Sequence, residues 1–286
     1  MNKSFYLSLC CENRPGIVAA VAACLFEAGG NILEAQQFDD IATKRFFMRV
    51  ALDVNSDSTT EEELRRRFAP IGNRYGMQWK LRSRERRQKV LILVSRYDHC
   101  LSDLLYRFRI GEMPMEVVGI VSNHPEEARN LCLRGNIPYY YLPVSPATKL
   151  EQEGEIRQII ERSGTELVVL ARYMQILSHE MCVYLSGRCI NIHHSFLPGF
   201  KGTKPYTQAF ERGVKMIGAT AHYVTNELDE GSIVAQATEA VSHTDAPDTL
   251  ARKGRDVERR VLAEALLYHL EDRVFLNGER TVVFRD

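Results

Sequence analysis

Apolar and polar positions divide the chain into two rhythms. FYLSLCC (5–11) alternates with period two, the pattern of a half-buried strand. RPGIVAAVAACLFEAG (14–29) then carries apolar residues at helical spacing, with Pro-Gly at its entry and Gly-Gly at its exit. NILEAQQFDD (31–40) and RFFMRVALDV (45–54) read as two strands joined by a short turn. STTEEELRRRFAPIGNRYG (58–76) begins with a hydroxyl cap and an acidic first turn, and MQWKLRS (77–83) closes as a strand. The order βαββαβ predicts an antiparallel sheet with both helices on one face. A charged run, SRERRQK (83–89), then separates two apolar strands and reads as a linker. It divides the chain into domains 1–83 and 84–286.

Beyond the linker, strands and helices alternate. KVLILVS (89–95) is a continuous apolar strand of the kind buried on both faces. A helix (100–112), the strand MEVVGIVSNHP (115–125), a helix (126–138) and the short strand YYYLPV (139–144) follow. EGEIRQIIERSG (153–164) reads as a helix and ELVVLARY (166–173) as a strand. CINIHHS (189–195) and GATAHYVTNELDEGSIVAQ (218–236) add further strands, and 248–272 carries a long amphipathic helix. The tail, 273–286, is a hairpin around Asn277-Gly278. The second domain is therefore an α/β, Rossmann-like, mostly parallel open sheet with helices on both faces, and its ligands are expected at the carboxyl ends of the strands.

Composition narrows the function classes. The 286 residues hold 37 Lys+Arg against 37 Asp+Glu, so bulk charge offers no attraction to nucleic acid or to an anionic membrane. The seven cysteines are scattered without a C-x-x-C pair, which argues for buried thiols in a reducing compartment. No apolar run approaches a membrane span and the first residues lack a signal-peptide core, so the expected location is cytoplasmic.

Candidate chemistry concentrates in INIHHSFLPGFKG (190–202). Strand alternation should turn His193 and His194 to opposite faces, which argues against joint metal ligation, and no H-E-x-x-H occurs. Ser195 lacks a G-x-S-x-G elbow. His194 is expected to be a buried structural residue. The second stretch contributes His222, Thr225 and Asp229, with Gly231 closing the turn. An amide, imidazoles and a carboxylate suit acyl-group chemistry, with donors for a developing oxyanion and a carboxylate for proton handling.

Two resemblances sharpen this reading. ENRPGIVAAVAACLFEAGGNI (12–32) resembles an ACT domain, the small regulatory module of many metabolic enzymes. Such domains pair side by side, which implies a homo-oligomer, dimer or tetramer. The resemblance also implies an amino-acid effector edge at Asn13, Gly16 and Asn31. NIHHSFLPGFKG and GATAHYVTNELDEGSIVAQ resemble the two active-site segments of the folate-dependent formyltransferase superfamily, over about residues 88–270. That resemblance implies Asn191, His193 and Asp229 as the catalytic trio, with His222 and Thr225 supporting Asp229 or an ordered water. LARYMQILS (170–178) resembles the folate-pocket stretch, in which main-chain groups around Met174, Gln175, Ile176 and Leu177 hold the pterin. It implies neither a metal nor a separate cofactor, because the folate is the substrate.

Transformylases with a phosphorylated acceptor carry a Gly-rich loop after the first strand of this domain. Here Arg96, Tyr97, Asp98 and His99 fill the turn, which is poorly suited to wrapping a phosphate. Water is then the remaining nucleophile. The resemblance as a whole is to the formyl hydrolases of the superfamily, with hydrolysis of 10-formyltetrahydrofolate to tetrahydrofolate and formate. Formate for purine synthesis and balance of the one-carbon pool are the implied roles. A formyltransferase with an unidentified amine acceptor and a non-catalytic folate- or amino-acid-sensing protein are the alternative readings.

Overall fold

The helix at 61–75 illustrates how locally this chain specifies its elements. Thr60 accepts a hydrogen bond from the Glu63 amide at 3.2 Å, three glutamates fill the first turn, and Gly76 ends the helix in the left-handed region. In the computed structural model, which describes residues 3–54, 59–125, 136–199 and 205–285, the elements group into two units.

The first unit comprises Met1–Arg87, Glu271–Asn277 and Val282–Asp286. Its sheet is β1 (Lys3–Glu12), β2 (Gly30–Asp40), β3 (Arg45–Val54) and β4 (Gln78–Ser83), in the order β2-β3-β1-β4 and antiparallel throughout. The helices α1 (Ile17–Glu27) and α2 (Glu61–Tyr75) supply Val21, Leu25, Leu64 and Phe68 to one core. Into it point the alternate residues Phe5, Leu7 and Leu9 of β1, and Met48, Val50 and Leu52 of β3.

The second unit comprises Gln88–Leu270 and Gly278–Thr281. Its strands are β5 (Gln88–Val94), β6 (Met115–Ser122), β7 (Tyr139–Tyr141), β8 (Leu167–Leu170), β9 (Cys189–His193), β10 (Met216–Tyr223) and β11 (Ile233–Ala240). They lie in the order β11-β10-β9-β8-β5-β6-β7. β5 through β9 are mutually parallel, while β10 and β11 extend the sheet antiparallel. The helices are α3 (His99–Arg109), α4 (Lys149–Ser163), α5 (His179–Tyr184), α6 (Pro205–Glu211) and α7 (Pro247–Leu270). Strand order reverses between β5 and β8, so the crevice of this fold opens at the carboxyl ends of those two strands.

Three expectations change. The boundary falls after Arg87, because Gln88 is already a buried residue of β5. The tail, expected with the second domain, forms the hairpin β12 (Val274–Asn277) and β13 (Arg280–Val283), and most of it packs into the first unit. There Phe275 and Phe284 cover Phe47 and Cys10 on the sheet face opposite the helices. The strand expected over 166–173 stops at Leu170, since Arg172 adopts a left-handed φ of 65°. The helix expected at 126–138 falls mostly on residues 126–135, outside the described residues. Among the described residues no helix is long and apolar enough to cross a membrane.

Candidate active site

β9 and β10 bring the two motifs together by strand pairing. Asn191 stands opposite His222 and His193 opposite Thr220, so two segments about thirty residues apart in sequence share one register. Asn191 Nδ2 donates to His222 Nε2 at 3.3 Å. His222 Nδ1–H donates to its neighbour's carbonyl, Tyr223 O, at 2.9 Å. That bond puts the ring proton on Nδ1 and leaves Nε2 as the acceptor for Asn191.

Asp229 arrives on the loop after β10 with φ 59°, a left-handed conformation that Asp tolerates better than most residues. Its Oδ2 lies 3.2 Å from His193 Nδ1 and its Oδ1 3.6 Å from His222 Nε2. All three side chains are nearly buried. Burial works against the carboxylate, but the hydrogen bond from His193 outweighs it and holds the acid below its usual range. The loop can close this tightly because of Gly231. A side-chain carbon there would sit 1.6 Å from the Tyr223 carbonyl oxygen.

His193 is tied at Nδ1, and its buried Nε2 has no hydrogen-bond partner. The residues around it open into a cavity of about 310 Å³. Asn191, His193, His222 and Asp229 line one side of it, and Met174, Gln175, Ile176 and Leu177 line another. Thr225 also lines it, but its hydroxyl donates to the Glu227 carbonyl at 3.1 Å and so braces the loop before Asp229.

The two adjacent histidines are not separated as strand alternation suggests. β9 ends at His193, the chain bends, and the rings lie 5.1 Å apart on the same cavity. Burial, and then the Arg172 charge, push the His194 pKa down from 6.5 to about 3, so this ring is neutral. Ser195 donates its hydroxyl to the Gly199 carbonyl at 2.7 Å and is committed to the turn. Buried Thr220 braces that turn as well, donating to Ser195 O at 2.9 Å and accepting from the Leu197 amide at 3.0 Å.

The folate-type segment is anchored from β5. Ser95 Oγ accepts from the Met174 amide at 3.0 Å and donates to Asn123 Oδ1 at 2.8 Å. Sequence reading missed Ser95, Arg172 and Glu258 here. Glu258 left a trace, an acid on the apolar stripe of α7 among Val257, Val261 and Leu262. Of the proposed effector residues, Gly16 caps α1 with φ 88°, the Asn13 amide donates to Lys44 O at 3.0 Å, and Asn31 is exposed on β2.

Comparison with known proteins agrees with this architecture. The Formyl transferase family profile matches residues 88–266, and the ACT domain profile residues 5–69. A formyltetrahydrofolate deformylase of Corynebacterium sp. is 48% identical, over 98% of this chain and 97% of that one. This chain belongs to the formyltetrahydrofolate deformylase family. The Bacillus subtilis member is 43% identical, covering 97% of this chain and 93% of its own. The crystal structure of the Burkholderia mallei deformylase superposes with a TM-score of 0.92 at 49% identity, covering 99% of this chain and all of that one. The family thus joins, in one chain, the ACT unit and the formyl-transferase-type unit whose cavity carries Asn191, His193 and Asp229.

Proposed function

We propose that the chain hydrolyses 10-formyltetrahydrofolate to tetrahydrofolate and formate, using the 310 Å³ cavity as its active site. The observation that carries the site assignment is the Asp229–His193 pair, with an unpartnered imidazole nitrogen beside the Asn191 amide.

The geometry suggests one order of events. Asp229 fixes His193 with its proton on Nδ1, so Nε2 presents a lone pair to water. As water attacks the formyl carbon, its proton passes to Nε2, and the imidazolium is balanced by the buried Asp229 carboxylate. The new Nε2–H and the Asn191 amide then face the oxyanion. Collapse breaks the bond from carbon to N10, N10 takes the proton from His193, and formic acid leaves, releasing its proton to solvent as formate. Asp229 works as an anchoring anion here, because a carboxylate held below its usual range is a weak proton acceptor. His222 keeps Asn191 oriented by accepting from it. The main chain of Met174–Leu177 holds the pterin.

Formate release from 10-formyltetrahydrofolate, measured with no acceptor present, tests the reaction. The wild-type chain should turn over. Asp229→Asn should lose about 10²–10⁴ in kcat and Asn191→Ala about 10²–10³. Near-normal rates in Asp229→Asn would reject the dyad. We further propose that an amino acid bound near Asn13, Gly16 and Asn31 regulates turnover, and that the formate serves purine synthesis. Repeating the assay across the amino acids checks the first of these.

A further inference from the structure

The crevice that this topology opens, between the carboxyl ends of β5 and β8, is filled by the chain's own charged side chains. Arg172 leaves β8 there in a left-handed conformation that favours glycine, yet it carries a long side chain that is only 8% exposed. Its Nε lies 3.2 Å from Glu258 Oε2, and Glu258, on α7, is 1% exposed. The same Oε2 lies 2.9 Å from Nε2 of His99, which begins the helix after β5. Tyr206 of α6 donates to the other carboxylate oxygen. Gly254, one turn before Glu258, makes room for this, since a side-chain carbon there would lie 2.1 Å from the tyrosine ring. Burial alone would raise the Glu258 pKa, but His99 and Arg172 outweigh it and keep the group ionised.

Other uses of this cluster fit less well. His99, Cys100 and Glu258 are spaced closely enough to hold a metal ion. However, a guanidinium already sits on the shared carboxylate, and burial keeps the Cys100 thiol protonated. One member of the cluster, Arg172, instead faces the candidate site, held there by the other three. Arg172 lines the same cavity as His193 and Asp229, and its buried Nη1 has no hydrogen-bond partner.

We propose that the Arg172–Glu258–His99–Tyr206 cluster is a built-in wall that occupies the place of a second substrate and restricts the formyl group to attack by water. This rests on the hydrolytic reading of the cavity. The wall acts by volume. It fills the switch-point crevice through which an amine would reach the formyl carbon, and its charges are satisfied within the cluster, Arg172 against Glu258. Arg172 is thus a specificity-determining residue, acting on which nucleophile arrives.

The competing reaction to be measured is formyl transfer to glycinamide. Its nitrogen forms a bond to the formyl carbon as the bond to N10 breaks, and one proton moves from the amine to N10. With formyl-labelled 10-formyltetrahydrofolate and excess glycinamide, the wild type should yield formate with no N-formylglycinamide above the uncatalysed background. Arg172→Gly, which suits the left-handed backbone, should raise the ratio of N-formylglycinamide to formate about tenfold or more. Arg172→Gly combined with Glu258→Gln, which leaves no unpaired buried carboxylate, should do the same. A wild-type arm needs no substitution. Hydroxylamine, close to water in size, should be formylated more readily than glycinamide once each is corrected for its uncatalysed rate. A folded, active variant that partitions like wild type, or a wild type that accepts both amines equally, overturns the wall. Absence of acceptor-free formate release by the wild type would instead overturn the hydrolytic reading itself.

Discussion

Neutral His194 next to His193 has a cost that can be read in solution. Its folded pKa of about 3 lies below the ordinary 6.5, so the unfolded chain takes up a proton that the folded chain refuses between those values. Its contribution to stability is complete above pH 6.5 and erodes as pH falls toward 3. At about 1.4 kcal/mol per pH unit, roughly 2 kcal/mol should be lost between pH 6.5 and 5. His194→Gln should therefore show a shallower acid limb than wild type when urea midpoints are compared across that range. Asn191, His193 and Asp229 stand in the sequence as polar groups beside apolar strands, and the resemblance to formyltransferases singles them out from their neighbours. Arg172 could not be picked out, since nothing in LARYMQILS marks a left-handed backbone or a partner on α7, 86 residues away. The bend after His193 was hidden for the same reason. Period-two alternation holds only while the strand does.

Elements were legible where their ends carry chemistry. α2 has its cap, acidic first turn and terminal glycine in the text, and β3 runs over the residues RFFMRVALDV read as a strand. The short helices α5 and α6 lack a full apolar stripe and left no readable period. The loop after β8 is held by a partner from another strand, which no local pattern announces. That tether gives a prediction specific to this element. Ser95→Ala removes the acceptor of the Met174 amide and the donor to Asn123, loosening the folate-type segment while leaving the Asp229–His193 pair untouched. KM for 10-formyltetrahydrofolate should rise about five- to thirtyfold, equivalent to about 1–2 kcal/mol, with kcat little changed. Steady-state kinetics on the purified variant separate the two.

For the whole molecule, composition and rhythm revealed two domains, but not which of them owns the tail. Arg49, almost fully buried, stacks 4.3 Å over Tyr6 and donates to the Glu271 carbonyl at 2.9 Å. Arg82 pairs with Asp272, and Asn277 Nδ2 donates to Asp40 Oδ2 at 2.6 Å. Asp272→Ala removes the carboxylate that pairs with buried Arg82 and with Lys80 and should destabilise the first unit, by at most about 3–5 kcal/mol. Hydrogen exchange should register that loss in β1, β3 and β4 before the parallel sheet of the second unit responds.

The returning tail also sets a timetable. A ribosome delivers residues 1–87 ahead of residues 88–270, yet Phe275, Asn277 and Phe284, which complete that first unit, follow both. The second unit, apart from Gly278–Thr281 of the hairpin, is synthesised before the first unit can close. During translation the buried face around Phe47 and Arg49 is therefore left uncovered until residues 271–284 arrive. Chains stalled or clipped before Phe275 would carry most of the second unit with an unfinished ACT unit.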